Sequence, residues 1–320
     1  KRQTAPAVGD RHGFGFQPGL EGLRGAAVMA VLLFHAGFDW ARGGFLGVST
    51  FFTLSGFLIT SLLIDEREQR DRIDRSGFWA RRVRRLVPAA YLTLALVLAL
   101  TVLGPRAWPR GGMFGDVASV MANVANWRFF LVAADQPLRL VAPLVPQWSL
   151  AVEEQFYLVV PLLVGAVMVG RGSRRAQGAV FAAMAIASVV LSWRLSYDSP
   201  RELATSTATR ELLRTDVRVV ELAAGALLAV YLPGWRIPWP RVAEVCGWLG
   251  LAATGYFWFT AHSDDLWLRQ GGLAFVAAAS TALVLGAVSD GPLARMLSVA
   301  PLVAVGRISY GIYLFHWPIY

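Results

Sequence analysis

Runs of about 20 apolar residues recur along the whole chain, and this recurrence restricts the chain to membrane folds. Apolar residues make up 56% of the 320 residues and charged residues only 16%, below the level of soluble domains. Because lipid offers the backbone no hydrogen-bond partners, such runs are expected to cross as helices. The sequence therefore predicts an all-α fold, a polytopic integral membrane helical bundle in the cell membrane.

Ten segments are candidates for crossing, and one of them is ambiguous. The ambiguous piece carries two asparagines, an aspartate and an arginine. It is expected either to span or to re-enter the membrane and be buried within the protein. The loop charges favour nine spans, with this piece not crossing. The candidates are 20–38, 45–64, 86–103, 113–134 (the ambiguous piece), 148–170, 177–195, 216–232, 242–260, 270–288 and 302–320.

The charged segment 65–85 gives the expected orientation. It holds eight arginines and five acids, so the positive-inside rule predicts that it is cytoplasmic, together with the N-terminal segment 1–19. The net charge of +9 lies mostly between the apolar runs, which indicates topology and not nucleic-acid binding. Because Tyr320 lies within an apolar run, the domain 20–320 is expected to be truncated and the natural chain to continue.

Arg24 and His35 are eleven residues apart in the first span, which reads LEGLRGAAVMAVLLFH from residue 20. About three helical turns separate them, so both face the same way, about 16 Å apart along the axis. Arg24 then lies near the cytoplasmic interface and His35 near the middle of the bilayer. Titratable groups at that depth mark functional sites. His35 is therefore the first catalytic candidate, and a packing role in a polar pocket is the alternative.

Four arginines immediately precede the third span: Arg81, Arg82, Arg84 and Arg85. On a helix, Arg82 and Arg85 share one face, and Arg81 and Arg84 share another. Paired guanidinium groups at a cytoplasmic interface are suited to phosphate. The alternative is a topology anchor or a contact with anionic lipid.

Two further groups place charges in apolar helices. Glu153 and Glu154 open the span at 148–170, and an inward acid must meet a cation or a histidine. The alternative is that both lie at the interface near the helix N-terminus. Asp216 and Arg218 open a later span. They either pair with each other or bind substrate, or Arg218 reaches the interface beside a local acid.

The remaining histidines and the single cysteine give weaker signals. His316 lies in the last span and is either structural or cavity-lining. His262 lies in a loop beside Asp264 and Asp265, where a surface role is favoured over a metal site. Cys246 is the only cysteine, so neither an intramolecular disulfide nor a cysteine-based metal cluster is possible. We predict no metal cofactor.

Five motifs occur in order along the chain. They are LEGLRG at 20–25 with His35, GGFLGVSTFFTLSGFLIT at 43–60, RRVRRLVPA at 81–89, WSLAVEEQFYLVVP at 148–161 and ISYGIYLFHWPI at 308–319. Together they resemble the membrane acyltransferase-3 family, which includes surface-polysaccharide O-acetyltransferases. The family's usual span count favours ten spans over nine. Relatives commonly have aspartate where this chain has Ser49, so this chain departs from the family pattern at that position.

The resemblance implies an integral membrane O-acyltransferase. It would move an acyl group, usually acetyl, from cytoplasmic acyl-CoA to a hydroxyl of a cell-envelope glycan or glycolipid. By match, His35 is the catalytic base or acyl carrier, Arg24 is its partner, and Glu153 is the motif acid. Arg82 and Arg85 would hold the phosphates of coenzyme A, with Arg81 and Arg84 beside them.

Substrate contacts are expected from Trp148, Arg218, Ser55 and His316. The expected partners are acyl-CoA (acetyl-CoA) as co-substrate, a carbohydrate acceptor and the lipid bilayer, and no nucleic acid. A charged donor cannot cross the membrane, so a positive cytoplasmic mouth with a histidine about 16 Å deeper suits its acyl end. The rival interpretation is a transporter or flippase whose buried charges form a substrate path. A third interpretation is a non-catalytic scaffold for a cell-envelope complex.

Overall fold

The computed structural model describes residues 15–103, 111–136, 140, 142–167, 173–198 and 210–319. These residues form thirteen α-helices and no strand, which confirms the all-α class. The helices are α1 Pro18–His35, α2 Gly47–Arg70, α3 Arg75–Leu103, α4 Met113–Met121, α5 Ala125–Val132, α6 Gln147–Val167, α7 Ser173–Asp198, α8 Thr215–Tyr231, α9 Pro240–Thr260, α10 Leu273–Ala287, α11 Pro292–Leu297, α12 Ala300–Arg307 and α13 Ser309–Ile319. Most of the predicted segment 1–19 lies outside the described residues.

Five helical segments of the described chain are long and apolar enough to cross a membrane. They are Asp39–Arg70, Arg75–Leu103, Gln147–Val167, Arg174–Tyr197 and Leu268–Ala287. The chain is thus a membrane protein by composition and helix length. The predicted total of nine to ten spans is not confirmed, because the helices at the other predicted positions do not meet the same criteria.

The ambiguous piece 113–134 is not one helix. It forms α4 and α5, which are separated at Asn123, where φ is 55°. A helix of nine residues is about 14 Å long and cannot cross a bilayer core of about 30 Å. The side chain of Gln155 in α6 donates to the Asn123 carbonyl over 2.8 Å. This bond gives the Asn123 carbonyl a hydrogen-bond partner at the break, while Asn123 itself is exposed in the described bundle.

Helix α2 lies in the middle of the bundle and packs most extensively against α8. Gly56 faces the backbone of Leu222, and Gly225 faces the backbone of Thr53, so closely that a side chain at either glycine would collide. Small residues permit this approach between membrane helices. The close contact holds the charged residues at the start of α8 beside the start of α2.

Helix α3 lies at the periphery of the described bundle. Only four of its 29 residues are buried: Phe78, Thr93, Leu94 and Val97. Its N-terminus is capped by Asp74, whose carboxylate accepts from Ser76 Oγ over 2.8 Å and from the Gly77 amide over 2.9 Å. These bonds, first of all the Gly77 amide, lower the pKa of Asp74 from its ordinary value. The cap begins the helix that carries the arginine motif.

Candidate active site

A cavity of about 550 Å³ opens beside the start of α3. Arg81, Arg82 and Arg85 line it. Arg84 is exposed on the same helix but lines neither this cavity nor the inner one described below. Arg81 and Arg85 are also exposed, and neither takes part in an ion pair within the described ranges. They are therefore the charges available to an anionic ligand.

Arg82 has a different environment. Its Nε lies 3.0 Å from Glu154 Oε1, and its guanidinium carbon lies 3.2 Å from the centre of the Tyr157 ring. Both partners belong to α6, so Arg82 joins α3 to α6. Glu153 is the acid of the sequence motif, yet its neighbour Glu154 is the one that forms this ion pair. Helical periodicity offers no signal for a pair between residues 72 positions apart.

A smaller inner cavity of about 70 Å³ adjoins the first. The residues that line both are Arg24, Ser55, Leu58, Leu150, Glu153 and Tyr310. Ser55 Oγ donates to Glu153 Oε1 over 2.9 Å, and the Tyr157 hydroxyl donates to Glu153 Oε2 over 3.0 Å. Of the predicted residues, Arg24, Ser55 and Glu153 are thus brought together where the two cavities meet.

Helix α13 begins in the wall of the inner cavity and runs toward the end of α1. Ser309 and Tyr313, one turn apart, line that cavity. The Tyr313 hydroxyl donates to the Pro146 carbonyl over 3.0 Å and lies 2.7 Å from Ser149 Oγ. The next turn of the same helix places His316 beyond Tyr313. The inner cavity therefore ends about one helical turn before the two histidines described next.

His35 and His316 lie in contact at the ends of α1 and α13. His316 Nε2 is 3.1 Å from His35 Nδ1, and His316 Nδ1 contacts the Tyr313 carbonyl. Because a carbonyl only accepts, His316 Nδ1 carries the hydrogen and Nε2 of the neutral ring is an acceptor. His35 then donates from Nδ1 and keeps the lone pair on Nε2. This is the tautomer that a base or a nucleophile needs.

His35 occupies the last residue of α1, whereas the sequence analysis placed it inside a longer span. The helix stops there because the chain turns at Gly37, where φ is 76°. The half-buried His35 ring packs on Trp317, with ring centres 4.8 Å apart, and on Phe34 at 4.9 Å. It lines neither cavity. Its link to the inner cavity runs through His316 and Tyr313.

The charged residues of α8 pair differently from the sequence-based alternatives. Arg218 is 2% exposed, and its Nε lies 3.1 Å from Glu221 Oε2. Asp216 instead accepts two hydrogen bonds from Arg214, over 3.0 and 2.7 Å. Arg218 also donates to Ser49 Oγ over 3.2 Å. The sequence analysis missed Glu221, although an acid three residues after an arginine in an apolar helix is a readable signal.

The four residues predicted to contact substrate differ in whether they line a cavity. Ser55 lines both cavities, while Trp148, Arg218 and His316 line neither. Trp148 packs edge-on against Phe52, with ring centres 6.0 Å apart. These three residues lie behind the cavity wall or beside His35.

His262 lies at the surface of the described chain. Its Nε2 is 3.3 Å from Arg42 Nη1, and its amide donates to Asp265 Oδ2 over 2.8 Å. No group of three or more histidine, cysteine or acidic side chains within the described ranges is arranged to hold a metal ion. His262 therefore serves below as a control position.

A family model described as an acyltransferase domain matches residues 17–320. The chain is 33% identical over 313 residues to the O-acetyltransferase OatA of Staphylococcus aureus, which covers 95% of this chain and 50% of that protein. It is 35% identical over 317 residues to the putative peptidoglycan O-acetyltransferase YrhL of Bacillus subtilis, covering 94% and 48%. It is 33% identical over 317 residues to the peptidoglycan O-acetyltransferase OatA of Listeria monocytogenes, covering 95% and 49%.

The chain spans about half the length of these relatives. No solved structure matches it. The family match runs from the start of α1 through α13, and it therefore contains all five motifs, the inner cavity and all but two of the residues that line the larger cavity. The resemblance of the motifs is thereby confirmed, and the chain belongs to the membrane acyltransferase-3 family.

Proposed function

We propose that this chain is the membrane part of an O-acyltransferase. It takes an acyl group, acetyl by our proposal, from cytoplasmic acyl-CoA and gives it to a hydroxyl of a cell-envelope glycan. The carrying observation is the arginine-lined cavity, which adjoins an inner cavity along α1 and α13 in the direction of His35. The relatives' names, which specify O-acetyl transfer and peptidoglycan, support the reaction class and a glycan acceptor.

The donor would enter from the side of segment 65–85, which we propose is cytoplasmic. Its phosphates would meet Arg81 and Arg85, whose guanidinium groups are exposed in the cavity wall. Arg82 is paired with Glu154 and would shape the wall more than supply free charge. This division differs from the sequence analysis, which placed Arg82 and Arg85 together on the phosphates.

His35 would perform the transfer. With its lone pair on Nε2, it would either take the proton of the acceptor hydroxyl or attack the thioester carbon and carry the acyl group. In the second case the Nε2–acyl bond forms as the carbon–sulfur bond breaks, and coenzyme A leaves as its thiolate. The acceptor oxygen then bonds to the acyl carbon as the Nε2–acyl bond breaks, and the hydroxyl proton passes to the freed Nε2. Arg24 and Glu153 line both cavities and would contact the acyl donor as it passes from the outer to the inner cavity.

The variant Arg81→Ala/Arg85→Ala is expected to weaken acetyl-CoA binding about hundredfold, because each charge-assisted phosphate contact is worth roughly tenfold or more. Binding can be measured by calorimetry on purified protein, and turnover by release of free thiol. Arg84→Ala is the matched control, since it removes the same charge from the same helix without touching the cavity. Equal losses in both variants would contradict the proposed donor site. A wild-type protein that moves an envelope precursor without consuming acetyl-CoA would instead identify a transporter or flippase.

The variant His316→Leu is expected to lower kcat about 10- to 100-fold with little change in KM for acetyl-CoA, because it removes the side-chain acceptor that helps to orient His35 beside the Val31 backbone. His316→Gln keeps an amide oxygen near the position of Nε2 and should recover part of the rate. Both kcat and KM would be measured by the release of free thiol at a saturating concentration of acceptor. Equal rates in the leucine and glutamine variants would argue against orientation through this hydrogen bond.

A further inference from the structure

The hydroxyl of Ser309 lies in the wall of the inner cavity without a hydrogen-bond partner anywhere in the described chain. Ser309 is 1% exposed, so bulk water does not satisfy it. Buried hydroxyl groups in native proteins almost always have a partner. Because Ser309 also lines a cavity, a molecule bound there can supply the missing partner.

A second unused donor lies in the same wall. Nε of Arg24 is buried and has no hydrogen-bond partner among the described residues, and its nearest acid oxygen, on Glu21, is 4.0 Å away. Glu153, in the same cavity, already accepts from Ser55 and Tyr157. The polar side of the cavity thus offers two donors and an acceptor that is already engaged. A ligand that fits these donors brings an uncharged acceptor oxygen.

The size of the inner cavity and its apolar walls further restrict the class of ligand that can bind there. At about 10–15 Å³ for each water-sized group, a space of about 70 Å³ holds about five such groups. Leu54, Leu58 and Leu150 give it apolar walls. A short polar group between methylene segments fits this lining, whereas a lipid chain would leave both donors unpaired.

We propose that the inner cavity binds the amide-bearing arm of the acyl donor, with Ser309 Oγ and Arg24 Nε donating to an amide carbonyl oxygen. The inference rests on the proposed function, because it requires a coenzyme A thioester in the outer cavity. The arm of coenzyme A joins the phosphates to the sulfur through two amide groups separated by methylene groups. With the phosphates at Arg81 and Arg85, the arm runs through the inner cavity and directs the sulfur past Tyr313 toward His35.

The test compares Ser309→Ala with Ser61→Ala. Ser61, on α2, is 4% exposed and its hydroxyl also has no partner in the described part of the chain, but it lines neither cavity. Calorimetry would measure the binding of coenzyme A and of acetyl-CoA to each purified variant. Ser309→Ala is expected to weaken both ligands about tenfold, and Ser61→Ala neither. The ligand-free melting temperature of both variants should be equal to or above that of the wild type, because each change removes an unpaired buried hydroxyl.

Three outcomes would overturn the inference. If Ser309→Ala binds both ligands as well as Ser61→Ala does, the hydroxyl does not contact the donor, and the proposed function still stands. If Ser309→Ala weakens acetyl-CoA but not coenzyme A, the contact is with the acyl group and not with the arm. If the wild type binds neither ligand, the donor site and this inference fail together. Should Ser309→Ala not be recovered folded, Ser309→Cys gives the same comparison at similar size.

Discussion

Replacing His35 by alanine is expected to lower acyl transfer about thousandfold while leaving acetyl-CoA binding unchanged. A positioned general base contributes about 10²- to 10⁴-fold, and among the described residues the only other imidazole at this place is that of His316. His316 does not occupy the same position, because its Nε2 points at His35 Nδ1 and therefore lies on the opposite side of the His35 ring from His35 Nε2. Transfer can be followed with radiolabelled acetyl-CoA and a glycan acceptor in purified protein or membranes.

His262→Ala is the matched control for this experiment, because it removes a histidine from a surface loop outside both cavities. Normal transfer by His35→Ala at normal protein levels would refute the catalytic assignment. The same label separates the two chemical roles. Without acceptor, an acyl carrier retains acetyl label on the wild-type protein and loses it in His35→Ala, whereas a general base leaves both proteins unlabelled.

Replacing Glu221 by leucine is expected to destabilise the protein by about 3–5 kcal/mol, because it leaves the guanidinium of Arg218 buried without its counter-charge. Arg218 is 2% exposed and Glu221 is fully buried. The remaining acceptor, Ser49 Oγ, is uncharged and does not compensate the full charge of the guanidinium. The loss should appear as a lower melting temperature in detergent.

The paired variant Arg218→Met/Glu221→Leu is the decisive comparison. Replacing both charges by apolar groups of similar volume is often neutral or stabilising, so the melting temperature should return to the wild-type value or exceed it. A single variant as stable as the wild type would contradict the buried ion pair. The activity of the paired variant tests the predicted substrate role of Arg218. If the paired variant transfers acyl groups at the wild-type rate, the role of Arg218 is structural. If it is stable but does not transfer acyl groups, Arg218 takes part in acceptor binding.

The sequence predicted the helical class and the family, and three of its candidate site residues lie at the junction of the cavities. Arg24, Ser55 and Glu153 were identified because each belongs to a motif and because acids and cations are rare in apolar helices. Helical spacing also predicted one face shared by Arg24 and His35. Helical spacing does not predict which residues of another helix contact each face. His316 and His35 are separated by 281 positions, and Arg82 and Glu154 by 72.

The span count shows a different limit. A window of apolar residues does not reveal where the backbone breaks, and 113–134 and 302–320 are each divided into two helices. In the first case the asparagines signalled the difficulty, since Asn123 adopts a left-handed conformation that this residue tolerates. In the second, the break at Ile308 has no sequence signal of that kind.

The peripheral position of α3 means that surrounding lipid would form one wall of the donor site that we propose. This helix carries Arg81 and Arg85, yet it buries only four of its 29 residues against protein. Its outward flank is apolar and exposed at Tyr91, Leu98 and Val102, so acyl chains of the bilayer would hold it in place from outside. The distance from the arginines to the inner cavity would then respond to membrane thickness and to lateral pressure. Detergents of different chain length would in that case change the affinity for the donor without any change in sequence.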